Sequence, residues 1–168
     1  MKRDAVFTWG AIVVLGGLSA WLGWWLGQQA LWPEEKPAPP GMVVTEVGQL
    51  APPLTLPDLR SGDPVAVTGP GRTRLINYWA SWCGPCRKEM PILDAFAAEQ
   101  GGNGVQVIGV ALDTRDEALA FLREVPVDFT LLVENPGPGD SSVQLGNRRD
   151  ILPYTVLVDA SGTLLATH

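Results

Sequence analysis

Residues 79–91 read WASWCGPCRKEMP, and the two cysteines in this stretch, Cys83 and Cys86, are the only ones in the chain. A mostly apolar run, RLINYW at residues 74–79, leads into it and predicts a buried strand. A helix is predicted from about Cys83 to Gln100, where two glycines end it. The cysteine pair therefore lies where a strand passes into a helix.

This position favours thiol chemistry at both cysteines. Positions i and i+3 in the first turn of a helix bring two α-carbons within reach of a disulfide. Cys83 then faces unpaired backbone N–H groups and the positive end of the helix dipole, which favour the thiolate over the thiol. Cys86 can close on a mixed disulfide and release a partner. The pattern therefore predicts thiol–disulfide exchange.

Other uses of a close cysteine pair need ligands that the chain lacks. A structural zinc site takes four cysteine or histidine ligands, and the only histidine is His168. Covalent haem attachment needs a histidine directly after the second cysteine, a position held by Arg87. A purely structural disulfide across so short a loop contributes little chain entropy. We therefore predict a redox-active pair, Cys83 and Cys86, with no metal and no cofactor.

The remaining predicted elements alternate between strands and helices. In chain order they are a hairpin (54–56 and 64–67), a strand (105–112), a helix (114–124), a strand (130–134), a loop (135–140) and a second hairpin (154–158 and 163–167). The strands are predicted from apolar runs, the hairpins from the turn residues between their strands, and the helix from a capping box that begins at Thr114. The order indicates an α/β fold with a mixed central sheet flanked by helices.

An uncharged apolar stretch lies near the start of the chain. Residues 5–26 contain no Asp, Glu, Lys or Arg. A helix of that length is roughly 33 Å long, close to the ~30 Å hydrocarbon thickness of a bilayer. Lys2 and Arg3 precede it, which predicts a cytoplasmic N-terminus and a translocated remainder. A cleaved signal peptide is the alternative, but its apolar region usually spans about 7–15 residues. We therefore expect residues 1–32 to form a single-pass membrane anchor.

A proline-rich linker, residues 33–46, is expected to separate this anchor from a single domain, residues 47–168. The linker begins PEEKPAPPG, which favours an extended, semi-rigid spacer. The chain carries 12 basic and 18 acidic side chains, a net charge of −6. Because nucleic-acid affinity rests on Lys and Arg neutralising phosphates, this balance argues against a nucleic-acid partner.

The stretch at residues 79–91 resembles the active-site segment of the thioredoxin superfamily. The RKEMP ending at 87–91, the VGQLAP segment at 47–52 and the expected anchor together resemble the TlpA/ResA group of membrane-anchored thiol-disulfide oxidoreductases. The resemblance covers about residues 46–168. It implies a thioredoxin-like fold that faces the periplasm or the cell exterior from the cell inner membrane. The implied activity is usually reductive and in some members acts on apocytochrome c.

The resemblance assigns roles to individual positions around the pair. Cys83 matches the attacking cysteine and Cys86 the resolving one, and Gly84 and Pro85 match the residues between them. Pro91 matches a proline inside the active-site helix.

Three further positions match the surface beside the sulfurs. Pro153 matches the family's cis-proline, which would present the backbone of Leu152 to an extended client segment. Trp82 would pack beside the sulfurs and shape the contact surface, with a purely structural aromatic as the alternative.

The sequence departs from the thioredoxin pattern in two places. Asn77 stands six residues before Cys83, where cytoplasmic thioredoxins carry a buried aspartate, so the Cys86 thiol must lose its proton to water or to another group. Glu89 is the nearest candidate in sequence, with a solvated helix glutamate as the alternative. The family also usually continues into a C-terminal helix, which we expect to be missing from this sequence because it stops at His168. Three alternatives follow: one sheet face is exposed, something else covers it, or the reading frame is shortened.

The first functional hypothesis is an anchored reductase of disulfides in client proteins, because Gly-Pro between the cysteines favours a reducing pair. The resemblance also implies a membrane thiol carrier as the electron donor. The alternatives are an oxidase or isomerase on the same fold and a redox-inert, tethered binding module. A peroxidase is disfavoured, since Ala80 and Ile76 occupy positions where superfamily thiol peroxidases carry Thr and Pro.

Overall fold

The computed structural model describes residues 14–27 and 35–168. The chain divides into two compact units between residues 35 and 36. In the first unit, residues 14–27 are helical. The predicted membrane segment, residues 5–26, lies partly outside the described residues. Within the described ranges, no helix combines the length and the apolar character that crossing a membrane requires.

The second unit contains seven strands and three helices in its described residues. In chain order they are β1 (Thr55–Pro57), β2 (Pro64–Ala66), β3 (Arg74–Trp79), α1 (Gly84–Gln100), β4 (Gln106–Leu112), α2 (Arg115–Glu124), β5 (Thr130–Glu134), α3 (Ser141–Gln144), β6 (Tyr154–Val158) and β7 (Leu164–Thr167). The predicted strands and the two longer helices are confirmed to within a residue or two. Helix α3, which directly follows the predicted loop, was not expected.

Strands β3 to β7 form one mixed sheet in the order β5-β4-β3-β6-β7, and β1 and β2 form a separate antiparallel pair. β4 runs parallel to both β3 and β5, whereas β6 runs antiparallel to both β3 and β7. The predicted α/β fold with a mixed sheet is confirmed. Because β3 lies in the middle, the loop that follows it emerges at the centre of one sheet end.

Both faces of the sheet are covered along its central strands, and this explains their continuous apolar sequence. On one face α1 and α2 pack, with Met90 fully buried and the rings of Trp79 and Phe121 4.9 Å apart between centroids. On the other face, an N-terminal segment (residues 45–68) and α3 cover the sheet, and Val67 and Leu145 are fully buried there.

The N-terminal segment also meets both edges of the sheet. Leu50 pairs with Thr163 beside β7, and Asp58 pairs with Leu132 of β5. Open strand edges are templates for association with other chains, so these pairings protect the sheet. Beyond Leu164, however, β7 is exposed.

Gly109 of β4 lies where no side chain fits. A Cβ there would be 2.8 Å from Cδ2 of Leu131 and 2.9 Å from Cε2 of Phe129, and both residues belong to the buried α1-side core. Because neighbours packed on all sides cannot move aside freely, Gly109→Ala should lower the free energy of unfolding by about 1–3 kcal/mol, measured by urea denaturation.

Gly102→Ala is the matched control for this substitution. Gly102 follows α1, is exposed, and has no atom within 4 Å of the position that a Cβ would take. Its substitution should change the free energy of unfolding by less than about 0.5 kcal/mol. Equal losses in the two variants would contradict the steric explanation.

Candidate active site

Cys83 and Cys86 form a disulfide at the N-terminus of α1. Their α-carbons are 5.3 Å apart and the sulfurs are bonded at 2.08 Å. The predicted reach of the i, i+3 pair is thereby confirmed.

The cap of α1 is built from the first cysteine itself. Cys83 is the N-cap residue, and its Sγ accepts the backbone N–H of Cys86 at 3.2 Å. Pro85 stands in the first turn, where its missing N–H leaves no helix carbonyl unpaired. A backbone N–H and the positive end of the helix dipole are both directed at this sulfur, an environment that favours negative charge.

An exposed rim surrounds the pair. Cys83 is 4 % exposed and Cys86 1 %, whereas Trp82 is 73 % exposed, and Gly84 and Pro85 are also exposed. Trp82 is therefore a surface residue and no part of the apolar core, which favours its role in the contact surface over a structural one. Of the two cysteines, Cys83 is the slightly more exposed residue.

The peptide bond between Leu152 and Pro153 is cis, as the resemblance implies. Leu152 is half-buried and packs against the apolar cluster that contains both cysteines. A cavity of about 480 Å³ opens next to it. Six of the residues that line this cavity are Trp82, Leu112, Pro136, Pro138, Val143 and Leu152. The exposed tryptophan and the neighbour of the cis-proline thus border one cavity with a largely apolar surface, whose lining also includes the charged residues Lys36, Asp140, Arg148 and Asp150.

Asn77, at the position of the missing aspartate, connects β3 to α1 and to β6. It is 1 % exposed, and its Nδ2 donates to Oε2 of Glu89 at 3.2 Å and to Oγ1 of Thr155 at 3.0 Å. Glu89 is half-buried. The structure therefore gives Glu89 a fixed, buried partner, which a freely solvated helix glutamate would not have.

Arg87 makes its contacts with α2. Its guanidinium lies 2.9 Å from the Glu124 carboxylate and 4.9 Å from the centroid of the Phe121 ring. These contacts join the two helices on the α1 side of the sheet. An ion pair this exposed contributes little to stability.

Asp113, which no sequence motif marks, contacts the loop before the cysteines. It ends the run of buried residues at β4, and its Oδ2 accepts the backbone N–H of Ser81 at 2.9 Å. An aspartate between an apolar strand and a capping threonine is typical of a helix start, so nothing in the local pattern points to this contact. In residues 14–27 and 35–168, no three His, Cys, Asp or Glu residues come together as a metal site.

Comparison with known proteins identifies the family. The sequence model of the Redoxin family matches residues 46–168. The chain belongs to the Redoxin family. This Redoxin protein is 34 % identical over 130 residues to the thiol:disulfide interchange protein HelX of Rhodobacter capsulatus, a match covering 76 % of the chain and 70 % of HelX. It is 30 % identical over 158 residues to the DsbE homolog of Paracoccus denitrificans, covering 94 % and 80 % of the two chains.

Two further similarities link this Redoxin chain to thioredoxin-like proteins. The thiol-disulfide oxidoreductase ResA of Bacillus cereus is 28 % identical over 127 residues, covering 75 % of the chain and 69 % of ResA. The crystal structure of a thioredoxin-related protein from Neisseria meningitidis is 32 % identical with a TM-score of 0.57, covering 67 % and 84 % of the two chains. With its cysteine pair, the chain is therefore a thioredoxin-like thiol-disulfide oxidoreductase of the DsbE and ResA type.

Proposed function

We propose that this protein is a membrane-anchored reductase of disulfides in client proteins outside the cytoplasm. The observation that carries the proposal is the Cys83–Cys86 disulfide at the N-terminus of α1, with the less buried sulfur at the helix cap. In this position the leading sulfur is ionised readily, and the second lies within bonding distance of it.

The sulfur atoms that exchange bonds are those of these two cysteines and of the client disulfide. In the reduced protein, the Cys83 thiolate attacks one sulfur of the client disulfide, a mixed disulfide forms, and the other client sulfur leaves as a thiolate. Cys86 then loses its proton and attacks Sγ of Cys83. The Cys83–Cys86 disulfide forms and the second client sulfur leaves, so two electrons pass to the client.

Glu89 is the proposed acceptor of the Cys86 proton. Asn77 cannot take this proton, but its amide holds the Glu89 carboxylate at 3.2 Å from a buried position on β3. Glu89 follows Cys86 by one helical turn, so both side chains lie on the same face of α1. A carboxylate that is fixed in this way can receive the proton without a reorganisation of the site.

Client recognition is assigned to the rim and the cavity beside the disulfide. Trp82 and Leu152 lie on the cavity wall, and the cis-proline follows Leu152 directly. An extended client segment could pair with the Leu152 backbone while its neighbouring side chains contact the apolar wall. The pairing would place a client disulfide over Cys83.

A redox titration tests the direction of the reaction. Equilibrating the full-length chain with glutathione buffers should give a potential near that of thioredoxin, about −270 mV. A value near that of the oxidant DsbA, about −120 mV, would instead indicate an oxidase or isomerase. A redox-inert binding module would retain its client activity when Cys83 is replaced by Ser.

The proposed membrane anchor and the proposed location outside the cytoplasm are inferred from the N-terminal sequence. In residues 14–27 the helix exposes large apolar side chains, among them Trp21, Trp24 and Leu18, as a lipid-facing helix would. The proposed donor is a membrane thiol carrier, and the proposed clients include apocytochrome c during cytochrome c maturation. In intact cells, an alkylating reagent confined to the outside should modify reduced Cys83. Modification only after lysis would overturn the assignment.

A further inference from the structure

Asp113 is a buried carboxylate that the proposed exchange does not use. It is 5 % exposed at the end of β4. In the part of the chain that the structure describes, no Lys or Arg nitrogen lies within 4.0 Å of its oxygens. Burying a charge without a partner is costly, so the groups that stabilise this carboxylate are informative about its role.

The carboxylate is stabilised by N–H groups of two loops. Oδ2 accepts the backbone N–H of Ser81 at 2.9 Å, and Oδ1 accepts that of Thr114 at 3.0 Å. Burial raises the pKa of Asp113, but hydrogen bonds from the Ser81 side chain and backbone, the Glu117 side chain and the Thr114 backbone together outweigh it and hold the pKa below its ordinary value. At neutral pH the group is therefore an ionised acceptor that holds Ser81.

Ser81 belongs to the turn, residues 80–83, that joins β3 to α1 and ends at Cys83. The backbone N–H of Cys83 donates to the Ala80 carbonyl at 3.1 Å, which closes this turn. Trp82, in its middle, is 73 % exposed and packs too little to fix the turn. The Asp113 contact thus connects the turn to the neighbouring strand β4, where residue 111 pairs with the last residue of β3.

We propose that Asp113 is a positioning residue for the leading cysteine: by holding the Ser81 N–H, it keeps Sγ of Cys83 against the Cys86 N–H at the helix cap. The proposal rests on the proposed exchange function. The hydrogen bonds, rather than the charge, carry the effect, because they fix the backbone of Ser81 between the buried Ala80 and the exposed Trp82. Without them, Cys83 departs from the geometry in which its thiolate is stabilised.

The test compares Asp113→Ala with Asp113→Asn in the reduced full-length chain reacting with oxidised glutathione. Quenched alkylation of the free thiols follows the reaction. Asp113→Ala should lower the second-order rate constant about tenfold, since small misplacements of reacting groups have effects of this size or larger. The pH at which the rate reaches half its maximum should rise. Asp113→Asn keeps an acceptor for the Ser81 N–H and should recover the rate to within about threefold of the unsubstituted chain.

Asp116→Ala is the control, since Asp116 is an exposed carboxylate in the first turn of α2, and its rate should be unchanged. If Asp113→Ala keeps the rate and only the melting temperature falls, Asp113 is merely structural. If Asp113→Asn is as slow as Asp113→Ala, the charge acts and not the hydrogen bonds. Either result overturns the proposal. Failure of the unsubstituted chain to react at all would instead overturn the exchange function.

Discussion

Replacing Cys83 by Ser should reduce thiol–disulfide exchange to the background rate of the assay. A serine hydroxyl is not ionised at neutral pH, so the helix N-terminus that stabilises a thiolate at this position has no nucleophile to act on. The measurement is the rate at which the reduced full-length chain transfers electrons to a cystine-containing peptide. Cys83 is the N-cap residue of α1, a position at which serine is strongly favoured, so the variant is expected to fold.

Replacing Cys86 by Ala should have a different result, the accumulation of a mixed disulfide at Cys83. The first attack proceeds, but no second sulfur is present to release the client. Non-reducing electrophoresis and mass spectrometry would detect and identify the adduct. The matched control is Cys83→Ala, which leaves Cys86 as the remaining thiol. Because Cys86 is only 1 % exposed, this control should trap nothing. Equal trapping by both variants would contradict the assignment of Cys83 as the attacking residue.

The order of strands and helices was predictable because the apolar runs and turn residues give strong local signals. β3 and β4 are buried on both faces, so they appear as uninterrupted apolar segments. Helix α3 was missed because four residues, Ser141–Gln144, are too few to show a helical period. Asp140, which caps α3 and accepts the N–H groups of Ser142 and Val143, was the one available signal.

In the site, contacts within one helical turn were predictable and contacts between strands were not. The bond of Cys83 to Cys86 follows from their i, i+3 spacing, and the cap from the position at a helix start. The contact of Asp113 with Ser81 depends on the register of β3 against β4, which local sequence does not determine. The same holds for Asn77, whose partner Thr155 lies 78 residues away on β6.

Replacing Asn77 by Asp, the residue found in cytoplasmic thioredoxins, should destabilise this protein strongly at alkaline pH. The position is 1 % exposed and lies 3.2 Å from the Glu89 carboxylate. The substitution exchanges a donor for a second acidic acceptor, and an uncompensated buried charge costs about 3–5 kcal/mol. Urea denaturation at pH 8 should show a loss of about that size.

The loss should depend on pH with a definite sign. Burial and the neighbouring carboxylate both raise the pKa of the introduced carboxyl above its unfolded value, near 3.9. The folded state then binds more protons than the unfolded state between these two values, so stability falls as the pH rises through that window. Below it, the protonated carboxyl can donate to Glu89, and most of the loss should be absent near pH 4. A loss that is the same at pH 4 and pH 8 would contradict this account.

The double variant Asn77→Asp/Glu89→Gln tests whether the contact needs one carboxylate in either position or a carboxylate specifically at residue 89. It returns one amide and one carboxylate to the contact, now with the amide on α1 and the carboxylate on β3. The two substitutions should therefore be non-additive, and the double variant should regain stability at pH 8. If a carboxylate in this pair accepts the Cys86 proton, the double variant should also release clients faster than Glu89→Gln alone. Equal release rates in the two variants would mean that water takes the proton, and Asn77 would then serve only to hold α1 against the sheet.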